Sequence, residues 1–209
     1  MSDQDIIFPQ SHSTATSLVG SLLLAMPALG VTADEETPFA GALIYICEHN
    51  EDGAFGIVVN RLTDITVAQL FEGAGVPMTK IALTSRWQGM PVYWGGPVRS
   101  DRGFILHQPL GDWQSTLAVR DDLGMTTSRD LLEAMANGEG PDEALVSLGY
   151  AGWSAGQLEQ ELAQNAWLTI PCEDVADLLF HCDPEQRVQK AMKQIGVDWM
   201  HFSGNAGHA

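Results

Sequence analysis

The sequence predicts an α+β fold on a mostly antiparallel sheet, and three observations carry that prediction. Short apolar runs crowd the first 120 of 209 residues, whereas helical periodicity fills the last 80. Strands and helices segregated in this way belong to α+β architecture; a doubly wound sheet needs alternating βα units. Two β-rich runs flank His49-Asn50-Glu51-Asp52-Gly53, whose turn residues mark a hairpin. No repeat, low-complexity tract or linker divides the chain, so residues 1–209 read as one domain with 1–12 and 203–209 as frayed ends. A chain of this length buries roughly 70% of its unfolded surface, enough for a core without staples.

Taken in order, residues 19–26 read as a buried strand stopped by Pro27, and residues 32–38 as an acidic loop. Residues 42–47 and 55–60 are the hairpin strands, 66–73 a short helix and 79–89 an irregular stretch. A short strand at 92–94 is broken by Gly95-Gly96-Pro97 and followed by strands at 103–107 and 115–119. Thr127 with Asp130 resembles a capping pair, opening a helix through Leu131, Leu132 and Met135 that Gly138 ends. A strand at 144–149 precedes a helix at 155–165, with Leu158 and Leu162 on one face, and a last strand at 167–170. Helices at 173–179 and 185–195 close the domain. Val188, Met192 and Ile195 mark the buried stripe, and Gly196 takes the C′ position.

Charge narrows the function. The chain carries 27 acidic and 10 basic side chains, a net of −17. Residues 1–60 hold eight acids and no Lys or Arg, residues 61–102 net +2, and residues 103–209 net −11. Affinity for DNA rests mainly on neutralising phosphates, so direct binding to nucleic acid or to an anionic membrane is disfavoured. The segment 61–102, with Arg61, Lys80, Arg86, Arg99 and Arg102, either attracts a small anion or is a scatter of surface cations. Cys47, Cys172 and Cys182 are odd in number and widely spaced, which fits a reducing compartment better than a disulfide framework. The apolar run at 19–29 lacks a preceding basic residue and falls short of the ~20 residues of a membrane span. It reads as a core strand, and the chain as cytoplasmic.

Several motifs invite chemistry. Gly152-Trp153-Ser154-Ala155-Gly156 has the G-x-S-x-G spacing of a nucleophile elbow, with Asp174 and His181 downstream. Ser154 with Gln157 is also an S-x-x-Q capping box, and the upstream βαβ pattern of a hydrolase is missing, so the cap explains the serine more simply. Gly95-Gly96 is either a backbone nest for an anion or a plain turn. Cys47 and His49 share one side of a strand, as a thiol with a base, half a metal site, or an inert core cysteine beside a surface histidine. His181-Cys182 lacks the further ligands zinc needs, and no dinucleotide, P-loop or zinc-protease motif occurs. No cofactor, metal or catalytic residue is expected. The six tryptophans, at 87, 94, 113, 153, 167 and 199, read mostly as core, with Trp94 and Trp153 placed to wall a pocket.

The same segments resemble the YqgE/AlgH family. Leu24-Ala25-Met26-Pro27 looks like its opening strand. Tyr45-Ile46-Cys47-Glu48-His49-Asn50, Gly53 and Gly56-Ile57-Val58-Val59-Asn60-Arg61 look like its signature hairpin. Val92-Tyr93-Trp94-Gly95-Gly96-Pro97-Val98 and Gly103-Phe104-Ile105-Leu106-His107 resemble its central block. Gly149-Tyr150-Ala151-Gly152-Trp153, Gly156-Gln157-Leu158-Glu159 and Trp167-Leu168 resemble its last. The likeness runs from about residue 18 to 200. It departs at Leu62, where the family usually has proline; position 154 is often glycine or another small residue in the family, which further demotes a serine nucleophile. The resemblance implies a strongly curved, barrel-like sheet flanked by helices, with polar motif residues gathered on one side. The family's name comes from a proposed role in regulating alginate synthesis.

The leading reading is a non-enzymatic regulatory or ligand-binding protein. Its pocket would draw on His49, Asn50, Asn60, Arg61, Gly95, Gly96, His107, Tyr150, Trp153 and Gln157, a mixture that suits a small anionic or polar ligand. A protein partner is the other occupant considered, and oligomeric state is not written in the sequence. A second class is an enzyme using His49 or His107 as acid or base. The third is a transcriptional regulator, for which direct DNA binding is disfavoured by charge and by the lack of a recognition-helix pattern.

Overall fold

A computed structural model describes residues 17–26, 38–77, 87 and 89–197. Pro27, nearly all of the 32–38 and 79–89 stretches, Trp199 and both chain ends lie outside the described residues. The strands are β1 (Ser21–Ala25), β2 (Leu43–Asn50), β3 (Gly53–Val58), β4 (Leu62–Thr66), β5 (Pro91–Trp94), β6 (Val98–Gln108), β7 (Thr116–Arg120), β8 (Leu123–Thr126), β9 (Glu143–Ser154) and β10 (Trp167–Pro171). The α-helices are α1 (Val67–Gly73), α2 (Arg129–Asn137), α3 (Gln157–Ala163) and α4 (Arg187–Gln194). A π-helical turn at Asp177–His181 and a 3-10 turn at Pro184–Gln186 lead into α4. This is the α+β class expected, with a curled, half-barrel sheet.

The strands run in the order β10-β1-β2-β3-β9-β6-β8-β7, each pair antiparallel. β4 pairs with β5, which lies parallel to β9. β9 is the hinge of the sheet: Ala151–Ser154 pair with β3, while Glu143–Leu148 and Tyr150 pair with β6. Alternation sorts the side chains. Leu22, Leu24, Tyr45, Cys47, Phe104, Leu106, Met125 and Ile170 point to one inner face, which the π-turn and α4 fill with Leu178, Leu179, Ala191 and Met192. Leu23, Ile44, Ile46, Val58 and Trp153 point outward beneath α3 and its Leu158. A third cluster joins α1 and α2 through Phe71, Leu131 and Met135 to Ile105 and Val146. Covered on both faces, β1 reads as an unbroken apolar run, and that is why residues 19–26 are legible as a strand.

Where the structure departs from expectation, the reason is local. β4 and β8 were not expected: β4 is half-exposed and polar, and β8 carries Gly124, whose missing side chain makes room for the His107 ring. β6 and β9 extend through stretches read as turns because pairing resumes beyond them: Val98 and Gly103–Gln108 of β6 pair with β9, across a register shift, and β9 continues onto β3 at Ala151–Ser154. The helix expected at 173–179 is replaced by the π-turn at Asp177–His181. α2 is entered from Ser128 rather than Thr127. α3 starts at Gln157 after Gly156, whose φ of 74° is the left-handed region, so Ser154 is not its N-cap. Half of the expected box survives, since the Ser154 N–H donates to Gln157 Oε1 at 3.0 Å. No helix among the described residues is long and apolar enough to cross a membrane.

Candidate functional site

The residues singled out by sequence fall into two groups at opposite ends of the β2–β3 hairpin. At the turn end, β-bulge geometry between Ile46 and Glu48 turns His49 toward the start of β1 and toward α3. His49 Nδ1 accepts the Leu18 N–H at 3.1 Å, which places its proton on Nε2, 2.7 Å from Glu159 Oε1. That contact holds the exposed Glu159 carboxyl below the usual range. Asn50 Oδ1 accepts the Asp52 N–H at 2.8 Å, a side-chain turn that closes the hairpin. Gln157 and Trp153 join this group: Trp153 Nε1 and Trp167 Nε1 both donate to Glu161 Oε2, at 2.8 and 2.6 Å, and Gln157 Nε2 donates to its other oxygen at 2.9 Å.

At the far end, Asn60 Nδ2 donates to Gly41 O and its Oδ1 accepts the Leu43 N–H, at 2.9 and 2.8 Å. Arg61 donates to the carbonyls of Pro38 and Ala40 while its guanidinium lies 5.2 Å over the Trp94 ring. Gly95 and Gly96 sit beside them, since Trp94 N–H donates to Arg61 O. The Gly95 N–H is spent on Leu148 O at 2.8 Å, and a Cβ at either glycine would overlap the backbone of β9. The pair therefore permits close packing, and no anion cradle forms around Gly95. Trp94, Phe39, Trp167 and Trp153 follow one another in ring contact, at 6.1, 5.7 and 5.6 Å, and connect the two groups along the outer face.

Two members stand apart. Tyr150 turns inward against Phe55 and Phe104, at 4.8 and 5.2 Å. His107 is fully buried on β6, with Nδ1 on Pro109 O at 2.9 Å and Nε2 on Thr126 Oγ1 at 2.8 Å. Burial pulls its pKa down, against the Pro109 carbonyl, which pulls it up. Cys47 is buried and its thiol pushed well up by that burial, so it is a core cysteine. Among the described residues no three His, Cys, Asp or Glu converge to hold a metal ion.

A family model described as DUF179, AlgH-like, matches residues 22–200. The chain belongs to the AlgH-like family. A UPF0301 protein of Dechloromonas aromatica (strain RCB) is 50% identical over 193 residues, covering 92% of this chain and 98% of its own. One from Azoarcus sp. (strain BH72) is 47% identical over 195 residues, covering 93% and 98%. The solution structure of AlgH from Pseudomonas aeruginosa is 42% identical and covers 96% of this chain and 100% of that one, with a TM-score of 0.73. A crystal structure from Corynebacterium diphtheriae, at 21% identity and a TM-score of 0.57, covers 82% and 85% and shares the fold.

Three residues of this AlgH-like chain escaped the sequence reading. Arg187 is 2% exposed and donates to the carbonyls of Val59, Leu179 (2.7 Å) and Cys182 (3.2 Å), with its guanidinium 5.0 Å over Tyr93. Its pKa is drawn down by burial. On sequence it looks like a surface residue of α4. Arg120, ending β7, donates Nη1 to Cys172 O at 2.9 Å, bridging the two unpaired edges of the AlgH-like half-barrel. Behind it lies Tyr45, hidden in an apolar strand run. Its hydroxyl is the one buried side-chain polar atom among the described residues without a hydrogen-bond partner. Burial pushes the phenol well above its usual range, and the neighbouring Arg120 offsets this only in part.

Proposed function

We propose that this AlgH-like chain is a cytoplasmic regulatory or small-ligand-binding protein that works by binding rather than by catalysis. The observation that carries the reading is the state of His49 and His107, the two acid/base candidates. Each has both ring nitrogens engaged within the fold, and His107 has no exposed surface. A general acid or base must come within hydrogen-bond reach of its substrate. The G-x-S-x-G serine is no better placed, because it ends a strand and lacks a histidine partner among the described residues. Direct DNA binding is disfavoured by the net charge of −17 and by described α-helices of nine residues or fewer. A protein partner fits the same reading.

A metabolite thermal-shift screen, with turnover measured for every hit, tests the proposal. Stabilisation without turnover is expected. Turnover that disappears in His49→Gln or His107→Gln would replace it with an enzymatic role.

A further inference from the structure

Behind the loop of residues 109–115, four polar contacts follow one another in an unbranched line. The Pro109 carbonyl lies 2.9 Å from His107 Nδ1, and His107 Nε2 lies 2.8 Å from Thr126 Oγ1. Thr126 Oγ1 is 2.6 Å from Thr116 Oγ1, which in turn is 2.8 Å from the Trp113 carbonyl. The line starts and ends on the loop and passes through β6, β8 and β7 between. Gly124 leaves room for the ring, Trp113 meets it edge-on at 4.8 Å, and neither His107 nor Thr126 has exposed surface.

Both ends of the line are carbonyls, which only accept; a neutral imidazole brings one N–H, and each threonine one O–H. Three protons therefore serve four contacts. The Pro109 carbonyl fixes the ring proton on Nδ1, so Thr126 donates to Nε2. Thr116 then gives its proton either to Trp113 or to Thr126, and the other contact goes without. A second ring proton fills the deficit: Nε2 donates to Thr126, Thr126 to Thr116 and Thr116 to the Trp113 carbonyl. We infer that His107 is a proton-operated catch, whose protonation inside the folded protein reverses the Thr126 hydroxyl and fastens the 109–115 loop to the sheet at both ends. This goes beyond the ligand-binding reading and does not depend on what the protein binds. The charged residues of the surrounding elements are Arg102 of β6, Asp112 of the loop, Arg120 of β7, Asp122 of the β7–β8 turn, Asp130 of α2 and Glu143 of β9. None of them bears on the ring: burial lowers its pKa, and the Pro109 carbonyl offsets this in part. Acid therefore costs stability down to the folded pKa and no further, because the protonated ring is bonded in place.

Nitrogen NMR of the whole protein, labelled on its histidine rings and titrated with acid, tests this. Neutral His107 should carry its proton on Nδ1, and Nε2 should gain one while the backbone spectrum stays that of the folded chain. Thr116→Val checks the proton count, because residue 116 neither touches the ring nor carries charge. Without its hydroxyl the neutral state is complete, with the Nδ1 proton on Pro109 and the Thr126 proton on Nε2. Protonation then gains no bond, since Thr126 has no acceptor left in the line. The His107 pKa should fall by about half a pH unit or more, roughly threefold in proton affinity, which is the worth of one hydrogen bond. Thr116→Ser, which keeps the hydroxyl, should hold the wild-type value. A merely structural threonine would leave the pKa unmoved, and an unmoved pKa in a folded Thr116→Val protein would overturn the inference. So would a neutral ring protonated on Nε2, or a His107 that takes its second proton only as the chain unfolds. Those two outcomes are read on the wild-type protein and stand whether or not the variant folds.

Discussion

Gly96 shows how much a single residue can reveal only after folding. Its φ of 149° and the overlap a Cβ would make with the Tyr150 carbonyl carbon fix it as glycine, and Gly149 meets the Gly96 carbonyl in the same way. Gly96→Ala should cost at least ~2 kcal/mol in urea unfolding. Gly73→Ala, with nothing within 4 Å, should change stability by less than ~1 kcal/mol. The sequence marks Gly95-Gly96 as special but not why, because the constraint comes from a strand some fifty residues later. Asn60 and Arg61 show the same limit: their partners lie 17 to 23 residues back, so the loop contacts they make are not visible in the sequence around them. His107 supplies a pH prediction. Burial lowers its folded pKa, so below its unfolded value of about 6.5 the unfolded chain takes up a proton that the folded chain resists. Stability should therefore fall as pH drops from about 6.5 through the folded pKa, and His107→Gln should flatten that slope in a series of urea midpoints.

At the scale of elements, hydrophobic pattern located the strands buried on both faces and the helices with a clear apolar stripe, while boundaries followed tertiary partners. β4 escaped because its alternate residues are exposed, and β8 because Gly124 weakens its strand character. The start of α3 shows what a motif can and cannot say. The S-x-x-Q spacing correctly linked Ser154 and Gln157, yet only the Gln side chain makes its bond, and Gly156 enters the helix. Ser154→Ala should shift stability by less than ~0.5 kcal/mol. Gln157→Ala, which loses bonds to the Ser154 N–H and to Glu161, should cost about 1 kcal/mol. Thermal melts of the two variants separate a side-chain cap from this arrangement; a larger loss at Ser154 would restore the cap.

For the whole molecule, the curved sheet was legible through the likeness of motifs spread from Leu24 to Leu168 to those of the family. The contact between the two ends of the strand order was not: Arg120, ending β7, donates to the Cys172 carbonyl just beyond β10, 52 residues later. The charge distribution belongs to this scale as well. The positive segment nets +2 over residues 61–102 between segments of −8 and −11. Within the described fold its cations are scattered: Arg61 is bound to two carbonyls, Arg99 lies 3.8 Å from Asp101, and Arg102 donates to Thr127. A DNA-binding face needs several cations aligned along the phosphates, since released counterions supply much of the affinity. Charges more than about 8 Å apart are largely screened at physiological salt, which softens the repulsion from the acidic body but creates no attraction. Duplex DNA should therefore show no sequence-selective binding tighter than about 1 µM at physiological salt. Fluorescence anisotropy with promoter and scrambled duplexes over a salt series measures this. Nanomolar, selective binding that weakens steeply with salt would reveal a phosphate-binding face that these cations do not form.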